Sequence, residues 1–577
     1  MERLFGKSAY EGVVIGEVYI ENDAEEKNSV DDIPVYDIQS EKDRLDMAIE
    51  SAISSLEGLK KGLTGELAKK ELDIIDAHLM ILRDPEYIKD IKKYIEKELK
   101  RSETAIKDVT DKYLKLFEKI DSPIYRQREL DIKDASNRVL DILRSDEENH
   151  RYLDGKILVT KEIYPTELLK IYKEKIALKG IVMEYGGETS HVAILAKALK
   201  IPTLMGVDHI FEHEWKERVV LDTTEGNSCV ITNPAEETLR KYEEKQKEMA
   251  RRMEKINQSA NLPAITKDGE KINLFLNIGD SERHSDDDID KSTIKGVGLL
   301  RTELIYMKSS EFPSEEKQVQ IYREILKDFS PEQSIVIRTL DIGADKQLSY
   351  FKMHSESNPF LGLRGIRFSF ENKEIFKIQL RAILRMSHEK NIKIMYPMVT
   401  NLDEVDRANE ILEEVKDELR KENIPFDENI EVGIMVEVPS VVLMAEEFAQ
   451  KIDFFSIGSN DLTQYILAAD RLSETVGDMY DSFNPAVFRA IYQIKKAADK
   501  YGKKVSVCGE MAGDPRSIIA LLSMGIKNLS MVETSISAAK ALIRNLEYKD
   551  LDCVREKILK CGDTNKIKEI LREKITY

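Results

Sequence analysis

At 577 residues the chain exceeds what one ordinary hydrophobic core supports, so two to four domains are expected. Hydrophobic residues at 42% and charged residues at 34% fit a soluble globular protein, and no run reaches the ~18 apolar residues a membrane span needs, which excludes membrane insertion. A formal net charge of −19 excludes nonspecific nucleic-acid binding through a broad basic face, yet leaves room for a small anion gripped by a local arginine cluster.

The start, Met1-Glu-Arg-Leu-Phe5, has no secretory apolar segment. The four cysteines, Cys229, Cys508, Cys553 and Cys561, lack CxxC pairing and suit a reducing cytoplasm. Residues 1–20 alternate apolar and polar, which predicts a short strand pair. From Ser40 to Ser145 the period turns helical: Leu45, Ile49, Ile53, Leu56 and Leu59, then Leu72, Ile75, Leu79 and Leu82, recur at three- and four-residue intervals. Only Pro85 and Pro123 interrupt. The pattern is a helical bundle inserted into an α/β domain, which resumes at Lys156–Thr160, continues through Gly180–Met183 and ends near Val230–Thr232. Residues 235–258 are strong helix formers with opposite charges three or four apart, as in a solvated connecting helix.

Beyond Asn261-Leu-Pro-Ala264, short apolar runs appear at Ile272–Ile278, Gly296–Leu300, Ser334–Ile337, Ile392–Met398, Val432–Val438, Asp453–Ile457, Val505–Cys508 and Asn528–Met531. Eight such runs separated mostly by helical patterns predict a (β/α)8 barrel, whose chemistry sits where strands give way to loops. Polar residues fall at those points: Arg301 and Glu303, Arg338 and Asp341, Glu437, then Asn460, Asp461 and Gln464, and Cys508 with Glu510. Arg364 and Arg367 lie in the long excursion after the third run. Guanidiniums converging on one mouth suit an oxyanion such as a phosphate beside a carboxylate, whereas singly each serves equally well as a loop salt bridge. Glu437 and Asp461 are hard oxygen ligands of the kind Mg²⁺ prefers. Cys508 alone, at the end of an apolar strand, reads more readily as a small buried hydrophobe than as a reactive thiol.

In the α/β domain, Gly186-Gly-Glu-Thr-Ser-His191 leads into a run of helical spacing. The glycines allow a sharp turn and close approach to a ligand, and Thr189 or Ser190 can cap the following helix. His191 then lies in the first turn, where unpaired N–H groups and the helix dipole favour a phosphoryl group that a neutral imidazole can accept. An isolated histidine is usually structural, and no other histidine lies at metal-ligand spacing, with His209 and His213 well downstream. The Gly-Gly-x-Thr-Ser run turns the reading towards function.

Taken together, these segments resemble, in order and over essentially the whole chain, enzyme I of the bacterial phosphotransferase system. Asp453-Phe-Phe-Ser-Ile-Gly-Ser-Asn-Asp-Leu-Thr-Gln-Tyr-Ile-Leu-Ala-Ala-Asp-Arg471 looks like the family's second signature throughout. The resemblance implies a multidomain α/β chain: a swivelling phosphohistidine domain (1–25 and 146–233), a helical insert binding the carrier HPr (26–145), a linker helix (234–262), and a C-terminal TIM barrel (263–577) that binds phosphoenolpyruvate and forms a homodimer. It implies His191 as the phosphorylated residue, Arg301, Arg338, Arg364 and Arg471 with Asn460 and Asp461 at the substrate, and Glu437 with Asp461 on Mg²⁺. Cys508 becomes the proton donor to the enolpyruvate carbon, which reverses the reading of that residue. In the insert, Asp76-Ala-His78-Leu-Met-Ile-Leu-Arg-Asp84-Pro85 resembles the docking surface for HPr, with His78 and Asp84 as its contacts. Departures lie around the histidine. Val192 stands where a small residue is usual, Lys197 replaces an arginine, Glu188 a residue that is often basic, and the family's Leu-Thr-Pro-Ser loop reads Ile163-Tyr-Pro-Thr166. That last change leaves open which group orients the imidazole.

Two alternatives stand beside this reading. A pyruvate,phosphate dikinase or phosphoenolpyruvate synthase shares the histidine and the barrel but needs an ATP-binding domain, for which the insert is too small and too helical. A non-catalytic regulatory homologue would not need the intact set of arginines, carboxylates and cysteine.

Overall fold

The computed structural model describes residues 2–21, 37–63, 69–117, 123–144, 150–187, 190–224, 226–279, 289–343, 346, 348, 350–351, 356–471, 473 and 475–575. They form two compact units that part between Arg251 and Arg252, each with its own core.

The first unit opens with strands Arg3–Phe5 (β1), Lys7–Tyr10 (β2) and Val13–Ile20 (β3). The expected strand pair is thus three strands, and none pairs with another: β1 joins Cys229–Ile231 (β8), β2 joins Thr203–Met205 (β6) and β3 joins Arg218–Asp222 (β7). Local alternation signals a strand but says nothing about a partner some two hundred residues away.

Helices Ile38–Leu63 (α1), Lys69–Leu82 (α2), Pro85–Glu98 (α3), Ser102–Phe117 (α4) and Pro123–Arg144 (α5) form the bundle. On α1 the buried Leu45, Ile49, Ala52, Leu56, Leu59 and Leu63 follow the helical repeat and make one apolar stripe. Both prolines begin helices, where a missing N–H costs nothing. The chain then alternates through Lys156–Thr160 (β4), Pro165–Lys173 (α6), Gly180–Met183 (β5) and His191–Ala198 (α7) before β6, β7 and β8. The eight strands line up as β1-β8-β7-β3-β4-β5-β6-β2. One core runs without a break from Leu56, Ile75 and Val139 of the bundle to Leu169 and Leu195 of α6 and α7, so the bundle fixes what faces the tip of α7.

Glu236–Ser259 (α8) buries only Tyr242. Its first half is tied to the sheet, with Lys245 Nζ 2.6 Å from Asp222 and Gln246 donating to the Val13 carbonyl at 2.9 Å.

The second unit is the predicted barrel. Asn273–Ile278 (β9), Gly296–Arg301 (β10), Ser334–Arg338 (β11), Ile392–Tyr396 (β12), Val432–Val436 (β13), Phe454–Ile457 (β14), Lys504–Val507 (β15) and Asn528–Met531 (β16) close in sequence order, with β16 parallel to β9. Helices surround them. Leu299, Val336, Met395, Met435, Phe454 and Cys508 pack as a separate cluster. Among the described residues no helix is long and apolar enough to cross a membrane.

Candidate active site

The barrel strands deliver charge to one end. Arg301 ends β10 and is exposed, Arg338 ends β11, Glu437 follows β13 directly, and Cys508 follows β15 directly. Gly458, after β14, passes so close to Glu437 that a Cβ there would stand 2.8 Å from the glutamate Cγ, so the bare backbone makes room for this carboxylate.

Arg338 is buried and bonds Glu303 at 2.5 Å and Asp341 at 3.0 Å, with Glu437 3.7 Å away. Arg364 is also buried and grips two aspartates in forked geometry: Asp341 at 3.1 and 3.2 Å, and Asp461 at 3.2 and 3.3 Å. Lys346 reaches Glu303 and Asp341, both at 2.9 Å. Burial alone would raise the Asp341 carboxyl, but Arg338, Lys346 and Arg364 outweigh it and hold the group well below the usual range.

Glu437 behaves oppositely. Burial, then the neighbouring Asp461 and Asp341, push its carboxyl up to about 8 against the pull of Arg338 and Arg364. Its Oε2 accepts from the Met398 N–H at 2.8 Å, whereas its Oε1 is buried with no hydrogen-bond partner. Three buried or half-buried cations therefore face four carboxylates, of which one is disposed to keep its proton. The pair Glu437 and Asp461 fits a divalent cation, because a cation there would give Oε1 a partner and relieve the repulsion. Among the described residues no group of three or more His, Cys, Asp or Glu forms a ready cage, so most remaining ligands would have to come from substrate or water.

Beyond the self-neutralised cluster, Arg301 and Arg471 remain. Arg471 has its backbone N–H on Gln464 at 3.3 Å, while its buried Nη1 has no hydrogen-bond partner among the described residues. Asn460 is fixed against Glu510, accepting from its N–H and donating to its carboxylate, both at 2.9 Å. The Cys508 thiol is fully buried and pushed up to about 11, chiefly by burial, so it stays protonated at neutral pH. Ser456 Oγ lies 3.4 Å from its sulfur.

In the first unit, Gly186 takes φ +124°, a region L side chains avoid, and turns the chain into α7. Ser190 caps the helix, accepting from the Ala193 N–H at 3.2 Å, and His191 is its first residue. The half-exposed ring meets Asp131 of α5, with Nδ1 3.1 Å from Oδ1. Val192 is buried. Glu188 and Thr189 lie outside the described residues.

One of the two docking residues, His78, is corrected by its surroundings. His78, on the inner face of α2, is fully buried 3.4 Å from Asp131, and a ring without exposure cannot contact a carrier. Asp84 caps α3, accepting from the Glu86 and Tyr87 N–H groups at 2.8 and 3.1 Å, and it remains exposed at the surface. Met80, also on α2, is 74% exposed.

Comparison with known proteins matches the chain to three family models: PEP-utilising enzyme, N-terminal, over residues 5–128; PEP-utilising enzyme, mobile domain, over 152–226; and PEP-utilising enzyme, PEP-binding domain, over 253–548. The phosphoenolpyruvate-protein phosphotransferase of Bacillus subtilis is 37% identical, covering 99% of this chain and all of that protein, and that of Listeria monocytogenes is 35% identical over 99% of each. The chain belongs to the phosphoenolpyruvate-protein phosphotransferase family. A solved structure described as Enzyme I (nEIt) aligns with 43% of this chain and 99% of its own at 25% identity and a TM-score of 0.34. The full-length match favours the phosphotransferase over a dikinase or synthase. Four residues that complete the sites of this family member had no role in the sequence reading: Glu303, Asp341, Lys346 and Asp131. Glu303 and Asp341 carried a positional signal, since each lies within three residues of an arginine at a strand end. Asp131 and Lys346 carried none, because only the fold brings them to His191 and to Glu303.

Proposed function

We propose that this chain transfers the phosphoryl group of phosphoenolpyruvate to His191, releasing pyruvate, and passes it on to a histidine of the carrier HPr in the cytoplasm, the first step of sugar uptake. The observation that carries this reading is the surplus of Arg301 and Arg471 over a cluster that already neutralises itself, with a buried Arg471 nitrogen that has no hydrogen-bond partner among the described residues. Such a mouth suits a small dianion. Arg301 and Arg471 bind its phosphate and carboxylate, Asn460 contributes an amide, and Arg338 and Arg364 set the surrounding field through the carboxylates they hold. Glu437 and Asp461 are the residues that would hold Mg²⁺, and the ion supplies charge neutralisation on the phosphate.

The Nε2 lone pair of His191 forms the bond to phosphorus while the bond from phosphorus to the enol oxygen breaks, and the electron pair leaves with enolpyruvate. The Cys508 S–H then gives its proton to the methylene carbon, the enolate collapses to the ketone of pyruvate, and the thiolate regains a proton from solvent. A thiol held near 11 remains loaded for this step.

In the same reading, residues 1–25 and 146–233 form the phosphohistidine domain and 26–145 the carrier-docking insert. Residues 234–262 are the linker that hinges, and 263–577 the barrel through which two copies pair. The decisive experiment incubates the protein with labelled phosphoenolpyruvate and Mg²⁺, comparing wild type with His191→Ala. An acid-labile, alkali-stable adduct confined to wild type is expected. Label on another residue, or equal labelling of the variant, would sink the reading.

A further inference from the structure

The ring of His191 does not stand alone. Asp131 Oδ1, 3.1 Å from His191 Nδ1, is also 3.4 Å from Nε2 of His78, so two imidazoles converge on one carboxylate oxygen. His78 is fully buried, neither ring nitrogen has a well-aligned hydrogen bond, and its Nδ1 points towards Asp134 at 3.8 Å. Asp134 is in turn anchored on Thr166, accepting from its N–H at 3.1 Å and its hydroxyl at 2.5 Å. Thr166 belongs to the loop whose sequence departs from the family pattern, and its hydroxyl is already committed to Asp134. The row therefore runs from α7 through α5 and α2 to α6, with both carboxylates on α5 one helical turn apart.

We propose that Asp131 is the positioning residue of the phosphoryl acceptor: it holds His191 with the proton on Nδ1 and the lone pair on Nε2, and the buried His78 behind it fixes the carboxylate. The inference rests on the reading of His191 as acceptor. An ionised aspartate can only accept, so the nitrogen it touches must carry the hydrogen and the other must be bare. As Nε2 binds phosphorus the ring gains positive charge, which a carboxylate on Nδ1 stabilises without moving, as in other paired histidines. Nδ1 keeps its proton throughout, so no further acid or base is required.

Asp131 is suited to this. Burial would raise its carboxyl, but the contacts from His191 and His78 prevail and lower it to about 2, leaving it ionised across the physiological range. His78 lies between the two carboxylates, Nε2 3.4 Å from Asp131 and Nδ1 3.8 Å from Asp134, and so packs against the far side of the Asp131 carboxylate. The pair of histidines is asymmetric in exposure: one ring is accessible and can react, whereas the other is sealed and can only support.

The test uses the full chain with ¹⁵N-labelled imidazoles and rapid-quench labelling from phosphoenolpyruvate. In wild type, His191 is expected in the Nδ1–H form and the phosphoryl group on Nε2. Asp131→Asn should slow the first-order transfer about ten- to a hundred-fold with little change in phosphoenolpyruvate affinity, and shift the His191 tautomer towards a mixture. His78→Gln, whose amide can still donate to Asp131, should stay within about threefold of wild type, whereas His78→Leu should approach Asp131→Asn. A wild-type His191 in the Nε2–H form, or phosphorus on its Nδ1, overturns the proposal even if the variants do not fold. So does Asp131→Asn reacting at the wild-type rate with an unchanged tautomer. If wild type takes up no label on His191, the acceptor reading itself fails, and that outcome is distinct from the others.

Discussion

The barrel mouth and the tip of α7 handle charge in contrasting ways. At the mouth, Arg338, Arg364 and Lys346 are locked onto Glu303, Asp341 and Asp461 before any ligand is present, and the two guanidiniums best placed for an anion are the ones outside that lattice. At α7 a half-exposed imidazole is held by one carboxylate, backed by a buried second imidazole. A site that must receive a dianion needs a rigid field whose cost of assembly is met by folding, because reorganising charges on binding would cancel the gain. On the proposed function the histidine visits two partners, and such a group needs an orientation that can be released. The number of charged contacts thus follows what each site has to do.

The sharpest way to break this contrast is to remove one arginine of each kind from the barrel. Arg364→Ala leaves Asp341 and Asp461 buried without their forked partner. It should destabilise the barrel by about 3–5 kcal/mol and abolish labelling. Arg471→Ala should change stability by less than about 0.5 kcal/mol and weaken phosphoenolpyruvate binding about ten- to a hundred-fold. Chemical denaturation and a binding titration read both. Equal stability losses from the two variants would mean that no arginine is held in reserve.

Much of this was legible from periodicity. The eight barrel strands fall within two residues of the apolar runs that predicted them, because each is a short, nearly continuous apolar run with turn residues at its ends. The linker α8 was equally visible, its charged repeats marking a helix that buries one residue. Three features were hidden for a common reason. The pairing of β1, β2 and β3, the approach of Asp131 to His191, and the burial of His78 all depend on contacts between distant segments. His78 shows the limit well: a polar residue in an amphipathic helix reads as surface, and only the facing Asp131 and Asp134 explain a buried imidazole. Asp84 shows the converse, since Asp-Pro at a helix start is a capping signal readable from the sequence, and the residue caps α3.

Glu437 gives a smaller, pH-dependent effect within the same mouth. Its folded carboxyl lies near 8 against an ordinary 4.5, so between those values the folded barrel keeps a proton that the unfolded chain has released. Barrel stability should therefore fall as pH rises from about 4.5 to 8 and level off above. On the proposed function Mg²⁺ would bind the ionised form, so adding it should flatten the decline. Melting curves at pH 5, 6.5 and 8, with and without Mg²⁺, test this against Glu437→Gln, in which the contribution is absent. Identical slopes for the variant and wild type would show that Glu437 carries no displaced proton.

A change smaller than that of Arg364→Ala is expected in α8. Lys245 bonds Asp222 at 2.6 Å and Thr224 Oγ1 at 3.0 Å, but Asp222 also accepts from the Thr224 N–H at 3.1 Å and its hydroxyl at 2.6 Å. Lys245→Ala therefore leaves a carboxylate that is still partly satisfied, and the loss should be about 1–2 kcal/mol, well below that of Arg364→Ala. It should be confined to the first unit, because the chain divides at Arg251–Arg252 and the second half of α8 belongs with the barrel. Hydrogen exchange should then quicken over residues 236–249 while the barrel's unfolding transition stays in place. A barrel transition that moves by the same amount would mean that α8 transmits stability along its whole length, and a helix that does so is a strut and cannot serve as the hinge of a travelling histidine.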